Sequence, residues 1–73
     1  MLLCDMKEKQ SARIAEINAA EPFASRLRDM GFCEGESIVC VRKAVLTSPI
    51  LYGVKGSQIA LRKADARLIE VMK

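Results

Sequence analysis

Apolar residues recur every second position through most of this chain and at helical spacing in one short stretch. The alternation in "QSARIAEI", residues 10 to 17, predicts a first strand. Asn18 to Glu21 then read as a loop. Pro22 suits the first position of a helix, where its missing N–H leaves no carbonyl unpaired. Phe23, Leu27 and Met30 follow at i, i+4 and i+7, which places them on one side of that helix. Gly31 stands where a left-handed C-terminal cap is expected, and such a cap brings Phe32 back against Leu27.

From Gly35 the period returns to two. In "ESIVCVRK", Ile38 and Cys40 share one face of a strand and Val39 and Val41 share the other. Two apolar faces predict a strand covered on both sides, or partly covered by a partner. Residues 44 to 49, "AVLTSP", read as a loop or a strand edge, because proline is kept out of central ladder positions. The run "ILYGVKGSQIALR", residues 50 to 62, predicts a hairpin turning at Gly56-Ser57, with Val54 opposite Ile59 and Tyr52 opposite Leu61. A turn at Lys55-Gly56 keeps the same residues on the same face, so this alternative stays open. "KADA", residues 63 to 66, reads as one helical turn, and "RLIEVM" as a last strand with Ile69 and Val71 inward. Five short strands and one short helix predict a mainly β domain spanning residues 1 to 73. A small barrel suits them, because closure removes exposed sheet edges.

Composition narrows the chemistry. The chain has 73 residues, 51% of them hydrophobic, and only three aromatics: Phe23, Phe32 and Tyr52. The core is therefore expected to be aliphatic. Histidine is absent, which removes the commonest acid–base catalyst and metal ligand. Gly31 and Gly35 lack the flanking residues of a phosphate-binding loop. No apolar run approaches the ~18 residues of a membrane span. Cys4 follows only three residues, too few for the charged and apolar segments that precede a lipoprotein cleavage site.

Three cysteines, Cys4, Cys33 and Cys40, match neither a disulfide framework nor a common zinc spacing. They read as reduced thiols of a cytosolic protein. Cys40 reads as a buried hydrophobe and Cys33 as exposed. Asp29, Glu34 and Glu36 surround Cys33 in sequence, which makes Cys33 the one weak candidate for a divalent metal such as Fe2+ or Zn2+. No firm cofactor is expected.

The net charge of +3 raises RNA binding as an alternative, through Arg13, Arg42, Lys43, Lys55, Arg62 and Lys63. That reading wants aromatics interleaved with the basic residues for stacking, and they are too few. Leu46, Ile50 and Leu51 flank a loop and are hard to bury together; they mark a partner surface or else fill a barrel mouth. We place a partner interface there, with Arg26 and Met30 of the helix.

Two motifs carry a family resemblance. L-x-x-[ML]-G-[FL]-x-x-G occurs at Leu27 to Gly35, and G-x-x-[IL]-A-L-R-x-x-x-A at Gly56 to Ala66. In this order and at this spacing they resemble FeoA domains, the small accessory proteins of bacterial ferrous-iron uptake. The resemblance implies an SH3-like β-barrel with a short helix inserted after the first strand. It implies a non-enzymatic, regulatory role through contact with an FeoB-type transporter and its cytosolic G-protein domain. On that reading the protein is cytoplasmic, brought to the inner membrane by the transporter, and a weak homo-oligomer is a further expectation. The chain departs from the family pattern in three places. Glu34 stands where proline often precedes the second glycine, "TSP" (Thr47, Ser48, Pro49) replaces a glycine-containing turn, and "MKEKQ" replaces another near the N-terminus.

Overall fold

Five strands and two helical segments make up the domain in a computed structural model, which describes residues 1–43 and 49–73. Strand β1 is Ser11–Ile17, helix α1 Phe23–Met30, β2 Ser37–Lys43, β3 Ile50–Val54, β4 Ser57–Leu61, α2 Lys63–Ala66 and β5 Ile69–Met72. The strands form one antiparallel sheet in the order β4-β3-β2-β1-β5. β4 and β5 lie at opposite ends of this order and do not pair with each other. The outer edge of β5 is met instead by the N-terminus. The Val71 amide donates to the Met1 carbonyl at 2.7 Å, and Leu2 bridges Glu70.

The period-two reading of the strands holds except at an irregularity in β1 between Ile14 and Glu16, which brings Ile17 inward. Ala12, Ile14 and Ile17 of β1, Ile38 and Cys40 of β2, Ile50, Tyr52 and Val54 of β3, and Ile69 and Val71 of β5 all face one core. Ile50 belongs to that core with 2% exposure, so it is removed from the expected partner surface. It pairs with Lys43 on one side and Leu61 on the other, which fixes its parity inward. Leu51, one residue on, faces outward and is half-buried. Leu46, Thr47 and Ser48 lie outside the described residues.

Helix α1 ends as the sequence predicts. Gly31 has φ +114°, and the amides of Gly31 and Phe32 donate back to the carbonyls of Arg28 and Leu27 at 3.0 and 2.9 Å. This is the paired hydrogen-bond pattern of a left-handed helix cap, with the flanking apolar contact supplied by Leu27 and Phe32, both fully buried. The buried face is shifted from the expected one. Ala24 and Leu27 are buried, Phe23 is half-buried, and Met30 is 38% exposed. The helix docks through Ala24 and Leu27, which leaves Met30 at its end toward solvent.

The β3–β4 hairpin turns at Lys55-Gly56, with Tyr52 opposite Ile59 and Ile50 opposite Leu61. This is the second of the two registers the sequence allowed. Both turn residues have positive φ, +51° and +75°, which is the mirror-image turn that matches strand twist. A lysine pays a steric cost there that asparagine largely avoids. Lys55→Asn is therefore expected to stabilise the domain by about 0.5–1 kcal/mol, read as a higher urea midpoint at unchanged slope. An unchanged or lower midpoint would contradict this.

The N-terminal segment is the element the sequence pattern did not reveal. Leu3–Asp5 forms a 3-10 turn, and Leu3, Cys4 and Met6 enter the core. Lys43 ties this segment to β2: its Nζ donates to the carbonyls of Cys4 and Met6 at 2.8 and 3.1 Å. A bulge at Cys40–Arg42 inserts Val41 and returns Lys43 to the inner side, which makes that reach feasible. Lys9, in the "MKEKQ" stretch, takes φ +70°, the backbone conformation for which glycine is the usual choice.

Candidate functional site

The residues around Cys33 form a braced turn. The Gly35 amide donates to the Ile14 carbonyl at 2.7 Å, and the Ile14 amide to the Glu36 carbonyl at 2.9 Å. Arg28 grips Glu34 through two parallel contacts, Nε to Oε1 at 3.2 Å and Nη2 to Oε2 at 3.0 Å, and reaches Glu21 at 3.6 Å. The hydrogen bonds from Arg28 hold the Glu34 carboxyl below its ordinary pKa. The Glu21 carboxyl is held down first by Ser25. These groups are solvent-exposed, so they orient the turn more than they stabilise it. Glu34, which replaces the family's proline, thus ties the turn to α1 through a side chain instead of a ring.

Cys33 is half-buried, and its thiol donates to the Arg28 carbonyl at 3.3 Å. It closes a helix-end carbonyl. Glu36 turns toward Lys55, at 3.8 Å. Among the described residues, no group of three or more His, Cys, Asp or Glu side chains comes together. Of the acids that neighbour Cys33 in sequence, Glu34 is held by Arg28 and Glu36 faces Lys55. Cys40 is fully buried opposite Tyr52, and burial pushes its thiol pKa up, which makes it a packing residue and not a nucleophile.

The outer face of the sheet is the better-formed surface. Ser11, Val39, Gly53 and Gln58 lie in one cross-strand row over β1, β2, β3 and β4. Beside it, Arg42, Leu51 and Ala60 form a second row. Two adjoining concavities meet along Val39 and Gly53. Val39 and Val41 are legible in the sequence as a second apolar face, whereas the place of Gly53 beneath them is not. A glycine inside a strand pattern is itself a signal of close approach.

Arg26 and Met30 are both exposed on α1, on a different element from Leu51.

Comparison with known proteins matches residues 1–73 to the FeoA domain. The chain belongs to the FeoA domain family. A Porphyromonas gingivalis protein named as an Fe(2+) transport protein A/Fe(2+) transporter FeoB fusion is 32% identical over 71 residues. Those residues are 97% of this chain and 8% of that protein. The solution structure of iron(II) transport protein A from Clostridium thermocellum superposes with a TM-score of 0.92 at 36% identity, covering 99% of this FeoA domain and 44% of that chain. The Stenotrophomonas maltophilia FeoA, crystallised with zinc, superposes with a TM-score of 0.85 at 31% identity over 97% of this chain and 88% of that one. It is described as a prokaryotic SH3 domain protein. The mainly β, SH3-like fold with a helix after β1 is thus the family's fold. No described helix of this FeoA domain is long and apolar enough to cross a membrane.

Proposed function

We propose that this FeoA domain is a non-enzymatic accessory of Fe(II) uptake that works by contact with an FeoB-type transporter on its cytosolic side. The observation that carries this reading is the Porphyromonas gingivalis relative, in which a matching domain shares one chain with a transporter. Fusion keeps two parts at high effective concentration, which suits partners whose separate contact is weak. The site chemistry agrees with contact over catalysis. Histidine is absent, Cys40 is buried, and Cys33 is engaged with a backbone carbonyl.

The RNA-binding alternative lacks a stacking platform. Phe32 and Tyr52 are fully buried, edge to face with ring centres 6.3 Å apart, and Phe23 packs against the core from α1.

Pull-down of the transporter's cytosolic part by the purified chain tests the reading. Saturable capture is expected. No capture at high micromolar concentrations would overturn it.

A further inference from the structure

The outer face of β1–β4 has the features of a docking groove. Gly53 is its floor. A Cβ at this position would lie 2.9 Å from Val39 Cγ1 and 3.4 Å from Val41 Cγ2, so the two valines lean over the space that a side chain would fill. Val39 and Val41 are half-buried with no partner element over them among the described residues. Leu51 and Ala60 extend the apolar strip toward β4. Crossing from β1 to β4 takes three inter-strand steps of about 4.8 Å, roughly 14 Å, which is the length of about four extended residues.

Charge decides what kind of segment fits. Arg13 and Lys73 line the concavity on the β1 side, Lys55 lines the one on the β4 side, and no Asp or Glu side chain lines either. Among the described residues, the one acid paired with these cations is Glu36, 3.8 Å from Lys55. Arg42, exposed opposite Leu51, adds a further cation at the end of the strip. Glu16 and Glu70 are opposite each other at the far end of β1 and β5, beyond the groove. An apolar floor with a cationic rim complements an acidic segment that also carries short apolar side chains.

The geometry points to this groove as the docking site for an extended acidic peptide segment, one short branched side chain of which seats over Gly53 between Val39 and Val41. The assignment rests on the proposed transporter contact and locates that contact. The acidic segment belongs to the transporter's cytosolic part. The absence of any aromatic side chain from the groove-lining residues separates this surface from a nucleic-acid platform.

The test uses the full chain, isotope-labelled, with three probes: the purified cytosolic part of the transporter, short overlapping peptides tiled across it, and a single-stranded RNA oligonucleotide. Three variants are compared: Val39→Asp, the double charge reversal Arg13→Glu with Lys73→Glu, and Arg26→Glu with Met30→Asp on α1. Arg13, Lys73, Arg26 and Met30 are exposed, so if Val39→Asp unfolds, the charge reversals still decide the matter. The expected result is that acidic peptides shift the amides of Val39, Val41 and Gly53, and that binding weakens as salt is raised toward ~1 M. Both outer-face variants weaken the transporter part by about tenfold or more, while the α1 variant binds normally.

Normal binding by the outer-face variants, or loss confined to the α1 variant, overturns the groove while leaving the transporter contact intact. Failure of the unaltered chain to bind the transporter part overturns the contact itself. Binding of only neutral or basic peptides, self-association through these amides, or their occupation by a single-stranded RNA oligonucleotide each overturns the acidic-peptide assignment.

Discussion

Leu3→Ala is expected to destabilise the domain by about 2–5 kcal/mol, although the residue is third in the chain. Leu3 is fully buried, and its carbonyl accepts the Tyr52 hydroxyl at 3.0 Å and the Met6 amide at 3.2 Å. Truncating it leaves a cavity beside the largest core side chain. A 73-residue domain has a margin of roughly 4–11 kcal/mol at typical per-residue stability, so this one change removes a large part of it. Each kcal/mol lowers the melting temperature by about 4–8 °C at this size. Met6→Ala is expected to behave alike, and Leu2→Ala, at a half-buried position, much less. Equal, small shifts for all three in a thermal melt would show that the segment is an appendage and not part of the core.

The second large effect is at alkaline pH. Tyr52 is the sole tyrosine, and there is no tryptophan, so its ionisation is read alone in the ultraviolet spectrum. Burial pushes its pKa well above the ordinary value, with neighbouring Cys40 and Cys4 adding to the shift. A phenol whose pKa is raised by folding favours the folded state in its neutral form. That stability is complete below the unfolded value of about 10 and is lost as pH rises above it. Tyrosinate absorbance is therefore expected to appear together with loss of the far-ultraviolet circular dichroism signal, in one transition. Tyr52→Phe removes the hydrogen bond to Leu3 and is expected to cost about 0.5–1.5 kcal/mol at neutral pH. Its disadvantage relative to the parent should shrink above about pH 10, because the variant has no phenol to ionise. Free titration near 10 in a chain that stays folded would contradict the burial of Tyr52.

Much of the architecture is legible from residue spacing because each side chain's face is set by a period of two or 3.6. The inward sets of β1, β2, β3 and β5, the cap at Gly31 and the helical turn at residues 63–66 follow directly. The hairpin shows the limit: both turns keep the same face, so parity alone does not choose, and the mirror-image turn at Lys55-Gly56 is favoured by strand twist. The N-terminal turn is illegible because three buried residues in a non-repeating stretch carry no period. Grouping Ile50 with Leu51 on a partner surface overlooks that Ile50 alternates with Tyr52 and Val54 and shares their inward parity. Its pairing with Lys43 follows from the bulge at Val41, which no composition signal marks.

The candidate site is legible to a lesser degree. The apolar outer face of β2 was visible in Val39 and Val41. The groove itself depends on Gly53 standing opposite Val39, which is a cross-strand relation that only the register reveals. The cluster of acids around Cys33 shows the reverse. Proximity in sequence suggested a cation site, whereas Arg28 and Lys55 draw two of those acids away.

The most direct test of the account is Fe(II) uptake by cells lacking this gene, measured with radiolabelled iron under reducing conditions and in three complementations. The unaltered chain is expected to restore uptake, Cys33→Ser to restore it equally, and Arg13→Glu with Lys73→Glu to fail at equal protein level. Undiminished uptake in the deletion strain, or restoration that requires the Cys33 thiol, would contradict a role that works by surface contact.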